Sequence, residues 1–175
     1  MAANQGDEAG GIRLLVVPHV AGDDIGRIRR ADLVPPEGTL ERIAARLDER
    51  RLVGTRLLVA PPDYVGLTAV VDVSARSRYD PDEVQDDVLR AIYDLFHPLT
   101  GGPDGTGWPF GRSVLSHEVH AALARIPGVE MAQEISVSLF PADADTGRRS
   151  SPVQRLDLPP TALVFSYEHQ VRVRR

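Results

Sequence analysis

With 175 residues, 42% of them hydrophobic and 26% charged, the chain has the make-up of a single soluble domain. A net charge of −5 speaks against nucleic acid as the main partner, because phosphate neutralisation needs a basic stripe. The absence of cysteine excludes disulfides, a thiol nucleophile and Cys-rich zinc sites, and no apolar run approaches the roughly 18 residues that cross a bilayer.

Residues 1–11, MAANQGDEAGG, are polar and glycine-rich and are expected to be disordered, so the domain is expected over 12–175. They also lack the apolar stretch of a secretory signal. Residues 12–18, IRLLVVP, predict a short buried strand. Residues 19–38 carry Gly, Asp and Pro-Pro punctuation and predict an irregular connection. In TLERIAARLDERR, Leu40, Ile43, Ala44 and Leu47 recur at helical spacing, so a helix starts near Thr39. Strands follow at 55–60 and 65–77; in the second, Leu67, Ala69, Val71 and Val73 alternate with Thr68, Val70, Asp72 and Ser74. Asp80-Pro81-Asp82-Glu83 opens a helix, with proline early and acids in the first turn, and Val84, Val88, Leu89, Ile92 and Phe96 form its apolar stripe. A helix over 113–126 is stopped by Pro127-Gly128. Strands are then expected at 129–140, 153–158 and 163–174, with a polar turn at 142–151. The order β-α-β-β-α-α-β-β-β, with mainly antiparallel pairing, makes the expected class α+β.

Between the second and third helices lies HPLTGGPDGTGWPFGR (97–112), with five glycines, three prolines and the chain's single tryptophan. A phosphate-binding loop of the G-x-x-x-x-G-K-[ST] kind needs a lysine to reach the phosphates, and this chain has none; all twenty of its basic residues are arginine. A dinucleotide fingerprint needs its glycines between a strand and a helix, whereas this loop is expected to join two helices. A loop of this length without regular structure is usually functional or held by a partner. Its glycines supply positive φ, its prolines stiffen the path, and Trp108 and Phe110 need an apolar surface to fill.

Ser116-His117-Glu118-Val119-His120 resembles the H-E-x-x-H metalloprotease helix but is one residue short, which dislocates the glutamate from its catalytic place. A third ligand for such a zinc would have to come from His97, His19, Asp72 or Glu134. Ser116, His120 and Asp72 could be drawn as a triad, but no G-x-S-x-G elbow supports it. The acid pairs Asp80/Asp82 and Asp86/Asp87 read as solvated helix surface. Two arginine clusters, Arg27/Arg29/Arg30 and Arg172/Arg174/Arg175, could meet acidic partners or simply be solvated. No catalytic, cofactor-binding or metal residues are assigned.

Taken in order, LDERRLVGTRLLVAPPDYVGLTAVVDV (47–73), the 97–112 loop, ARIPGVE (124–130) and LVFSYEHQVRV (163–173) resemble the C-terminal region of baseplate J-like proteins. These are baseplate assembly proteins of phage tails and extracellular contractile injection systems, and GTGWPFGR is the most specific segment. The resemblance implies a non-enzymatic wedge component without cofactors. It would lie in the cytoplasm within a phage-tail-like particle of about six-fold symmetry, touching other wedge subunits, hub or spike, and sheath. Its action would be mechanical, holding neighbours in the pre-contraction arrangement and repacking when triggered. Members of that family are longer, with further domains ahead of this region, so the chain is expected to be a fragment, a truncated reading frame or a short paralogue. Trp108, Phe110 and Arg112, with Tyr64 and Tyr167, are the expected interface or loop anchors, since aromatics and arginine dominate interface energetics. The competing expectations are a metal-dependent hydrolase built on His117 and His120, and a stand-alone soluble binding module.

Overall fold

The computed structural model of the protein describes residues 11–130 and 135–175. Its elements are β1 (Gly11–Leu15), a 3-10 turn (Arg30–Leu33), α1 (Thr39–Asp48), β2 (Arg56–Ala60), β3 (Asp63–Ser74) and α2 (Pro81–Leu95). After the glycine-rich loop come β4 (Val114–Leu115), α3 (Ser116–Leu123), β5 (Ser136–Ala142), β6 (Arg155–Leu156), β7 (Ala162–Ser166) and β8 (Gln170–Arg174). The α+β class and the expected order of the three helices among the strands hold. Residues 1–10 of the lead expected over 1–11, and residues 131–134 of the expected 129–140 strand, lie outside the described residues, while Gly11 belongs to β1.

β3 is the organising strand. β5 pairs antiparallel along one edge, while β7 and then β8 pair parallel along the other. Antiparallel pairing also joins β4 to β6 and makes the isolated bridges, whereas β1 and β2 run parallel. The parallel pairs exist because long connections through helices bring the chain back in the same direction.

The alternation read from β3 is the alternation observed. Leu67, Ala69, Val71 and Val73 are fully buried beneath Val84, Val88, Ile92 and Phe96 of the α2 segment and Val119 and Leu123 of α3. α2 starts where its residues demand: the Asp80 carboxylate accepts the Asp82 N–H at 2.9 Å, and Pro81 occupies the first turn, where its missing N–H costs nothing. The 16–38 connection meets one end of the opposite face, where its Ile28 and Leu33 pack with Ala144 and Phe165 in a second, smaller core, while Val70, Asp72 and Ser74 farther along β3 stay half-buried.

Several sequence expectations change. The 12–18 run is not a buried strand: β1 begins at Gly11, ends at Leu15, and leaves Ile12 57% exposed, because only β2 pairs with it. α1 buries none of its residues. The helix expected over 113–126 begins at Ser116, since Val114–Leu115 are drawn into pairing with β6. The loop therefore joins a helix to a strand. Only Arg155–Leu156 of the 153–158 strand form a ladder, with Val153 adding a single bridge to Leu139. The 163–174 strand is interrupted at 167–169.

Candidate functional site

The loop at 97–112 is knotted to itself before it touches anything else. At its entrance His97 Nδ1 accepts the N–H groups of Leu99 and Thr100, both at 3.1 Å, and the His97 carbonyl accepts from Gly101. Burial holds the His97 pKa below the usual imidazole value, with Asp94 pulling the other way, so the ring stays the neutral acceptor that this turn needs. Gly102 and Gly107 approach each other so closely that a Cβ on Gly102 would strike the Gly107 carbonyl; both have positive φ, 76° and 102°. Any other residue at either place would meet backbone rather than a yielding side chain.

Trp108 closes the knot. It is 2% exposed, its ring 5.1 Å from Phe96 at a tilt of 58°, and its indole N–H donates to the Arg112 carbonyl at 3.0 Å. The Arg112 guanidinium lies 4.7 Å over the indole ring and donates to Glu118 at 2.5 Å. The other Glu118 oxygen accepts the Leu115 N–H at 3.1 Å at the start of α3. One carboxylate thus serves as helix cap and as counter-ion to the arginine that covers the tryptophan, which couples the loop to the helix after it. Phe110, two residues after Trp108, is 43% exposed.

Of the five expected anchors, the fold brings Trp108, Phe110 and Arg112 together and places the two tyrosines elsewhere. Trp108 is buried and Arg112 half-buried; of the five, Phe110 alone is exposed. Tyr64 and Tyr167 line the second core. Arg30 lies 4.7 Å over the Tyr64 ring, and burial pushes the Tyr64 hydroxyl up to about 12 against the pull of that arginine. Tyr167 meets Phe165 edge-on at 6.3 Å and rests against Gly147.

No family model matches the chain, and no curated protein matches it. Among solved structures it is similar to a chain of the anti-feeding prophage (AFP) baseplate, a 6-fold symmetrised cryo-EM structure. The TM-score is 0.44 at 16% identity, covering 77% of this chain and 26% of that one. The chain spans about a quarter of that neighbour's length.

The other candidates are spread over the fold. His117 is exposed on α3 and His120 half-buried one turn on. The Ser116 hydroxyl is bonded to Gln154 at 2.5 Å, and Asp72 lies 3.8 Å from Arg172. Among the described residues, no three His, Asp or Glu side chains are grouped to hold a metal; Glu134 lies outside them. Nor is any described helix long and apolar enough to cross a membrane. The Arg27/Arg29/Arg30 cluster meets acids of its own chain, pairing with Glu168 (2.8 Å), Asp32 (2.8 Å) and Asp145 (3.5 Å). Two of these ties fasten the 16–38 connection to the far end of the chain.

One residue that sequence reasoning passed over is His169. It is buried, its Nδ1 accepts the Ala69 N–H at 3.0 Å, and its ring lies 4.6 Å from Tyr93. Against β3 the register moves from Leu67↔Ser166 to Val70↔Gln170, so four residues span what three span opposite, a bulge. The signal was present: the core-facing positions are even-numbered at Ala162 and Val164 but odd-numbered at Val171 and Val173.

Proposed function

We propose that the protein is a structural part of a contractile injection system baseplate, working through protein contacts rather than catalysis. The reading rests on four sequence segments in baseplate J-like order, and it is supported by the geometry of the most specific of them. The observation that carries it is the division of labour inside GTGWPFGR. Trp108 and Arg112 are spent on holding the loop's shape, and that shape leaves Phe110 exposed on a rigid support. An aromatic presented at low conformational cost is what a docking contact needs. In this reading the neighbours are wedge, hub and sheath subunits, and the braced loop transmits displacement between them when contraction is triggered.

The test is a pair of substitutions scored separately for folding and for particles. Trp108→Ala should lower stability by about 3–5 kcal/mol, as for other buried aromatics. Phe110→Ala should leave the melting temperature close to the parent's and still cut the yield of sheathed particles seen by electron microscopy at least tenfold. An unchanged particle yield in Phe110→Ala, or source cells in which this protein accompanies no tail-like particle, would remove the proposal.

A further inference from the structure

The unit β1–α1–β2 leaves an apolar trough uncovered. α1 packs over β2 rather than over β1, and of two adjoining hollows that share Leu14 and Leu47, one lies between α1 and β1 and the other between β1 and the turn that follows α1. Ile12, Leu14, Leu47 and Leu52 are all exposed there, Leu52 at 80%. β1 pairs with β2 alone among the described residues, so its outer edge offers unpaired backbone groups. A two-stranded sheet under one helix is a marginal structure in water, and a third strand would complete it.

The charge of the walls says what that strand carries. Arg42, Arg46, Arg50 and Arg51 line the two hollows, and among the described residues no acidic one does. Glu49 and Asp48 partly balance Arg46 and Arg51, but Arg42 and Arg50 make no ion pair among the described residues. A second copy is a poor occupant. Two-fold pairing of β1 with itself about its midpoint sets Arg13 opposite Arg13 and brings two arginine-lined walls together, and like charges so placed destabilise a sheet.

We infer that the trough receives an extended acidic segment of a partner protein, added as a strand to the free edge of β1. The side chains on its trough-facing side would be apolar where they cover Ile12 and Leu14 and acidic where they reach the arginines of α1 and of the turn after it. The inference stands apart from the proposed role of the Phe110 loop and uses a different surface.

Three synthetic peptides of about six residues test it, all with threonine at every second, outward-facing position: one with valine and glutamate at the trough-facing positions, one with valine and lysine there, and the acidic peptide N-methylated at alternate positions. Binding is read by fluorescence anisotropy at low salt, alongside sedimentation of the protein alone. The acidic peptide should bind at least tenfold tighter than the basic one, and N-methylation should abolish binding by removing the edge hydrogen bonds. Arg46→Glu with Arg50→Glu should reverse the preference while circular dichroism stays unchanged. Absence of binding, equal binding of both charges, indifference to N-methylation, or a stable dimer that excludes the acidic peptide would each overturn the inference.

Discussion

His169 fills the break between β7 and β8 as a neutral acceptor, its Nδ1 taking the β3 N–H that the bulge leaves without a backbone partner. Burial, reinforced by the positive charges of Arg27 and Arg149, lowers its pKa from 6.5 to about 3. The unfolded chain therefore binds a proton near pH 6.5 that the folded chain refuses until about pH 3. Stability from this residue is fully present above pH 6.5 and is lost as pH falls through that window, by about 1.4 kcal/mol per unit. At pH 5 the loss should reach about 2 kcal/mol. His169→Asn keeps an acceptor near Nδ1 but cannot titrate; it should be less stable at pH 7 and show a flatter dependence down to pH 5. Urea midpoints across that range check this, and parallel curves for both proteins would show that acid acts elsewhere.

At the scale of elements, what succeeds and what fails divides by how local the cause is. α2 carries its own start signal and its own stripe, and the helix runs from Pro81 as its residues require. Asp80→Ala should cost about 1 kcal/mol by removing the cap on the Asp82 N–H, measurable in thermal or urea unfolding. A cost near zero would mean that tertiary packing alone holds that end. α3 differs, because its first turn depends on Glu118 satisfying both Leu115 and Arg112. The residues of 113–115 suit a helix, but β6 claims them from forty residues away, which a helical pattern cannot reveal. β1 shows the converse: its apolar residues promise burial, yet among the described residues it has β2 alone as a strand neighbour and stays largely exposed.

Across the whole molecule the two sheets are unequally supported. β3 has partners on both edges, helices on one face and the 16–38 connection at one end of the other, whereas α1 buries none of its residues over β1 and β2. Amide exchange in β1, α1 and β2 should therefore be faster than in β3 by about two orders of magnitude or more, because local opening of the arm exposes little that was buried. Hydrogen–deuterium exchange resolved by residue measures this, and equal protection throughout would show the arm to be one cooperative unit with the central sheet.

The sequence by itself determined the α+β class, the helix starts at Thr39 and Pro81, the inward face of β3, and the shaped nature of the Trp108 loop. Each follows from periodicity, capping or glycine chemistry within a short stretch of chain. Tertiary structure decided that Trp108 turns into its own core while Phe110 stays out, that Tyr64 and Tyr167 join a second core, and that His169 replaces a backbone acceptor. It also left the β1 edge without a second strand among the described residues. Those outcomes depend on which distant segments meet, such as Phe96 with Trp108 or Ala69 with His169, and such meetings are set by the competition of the whole chain for buried surface.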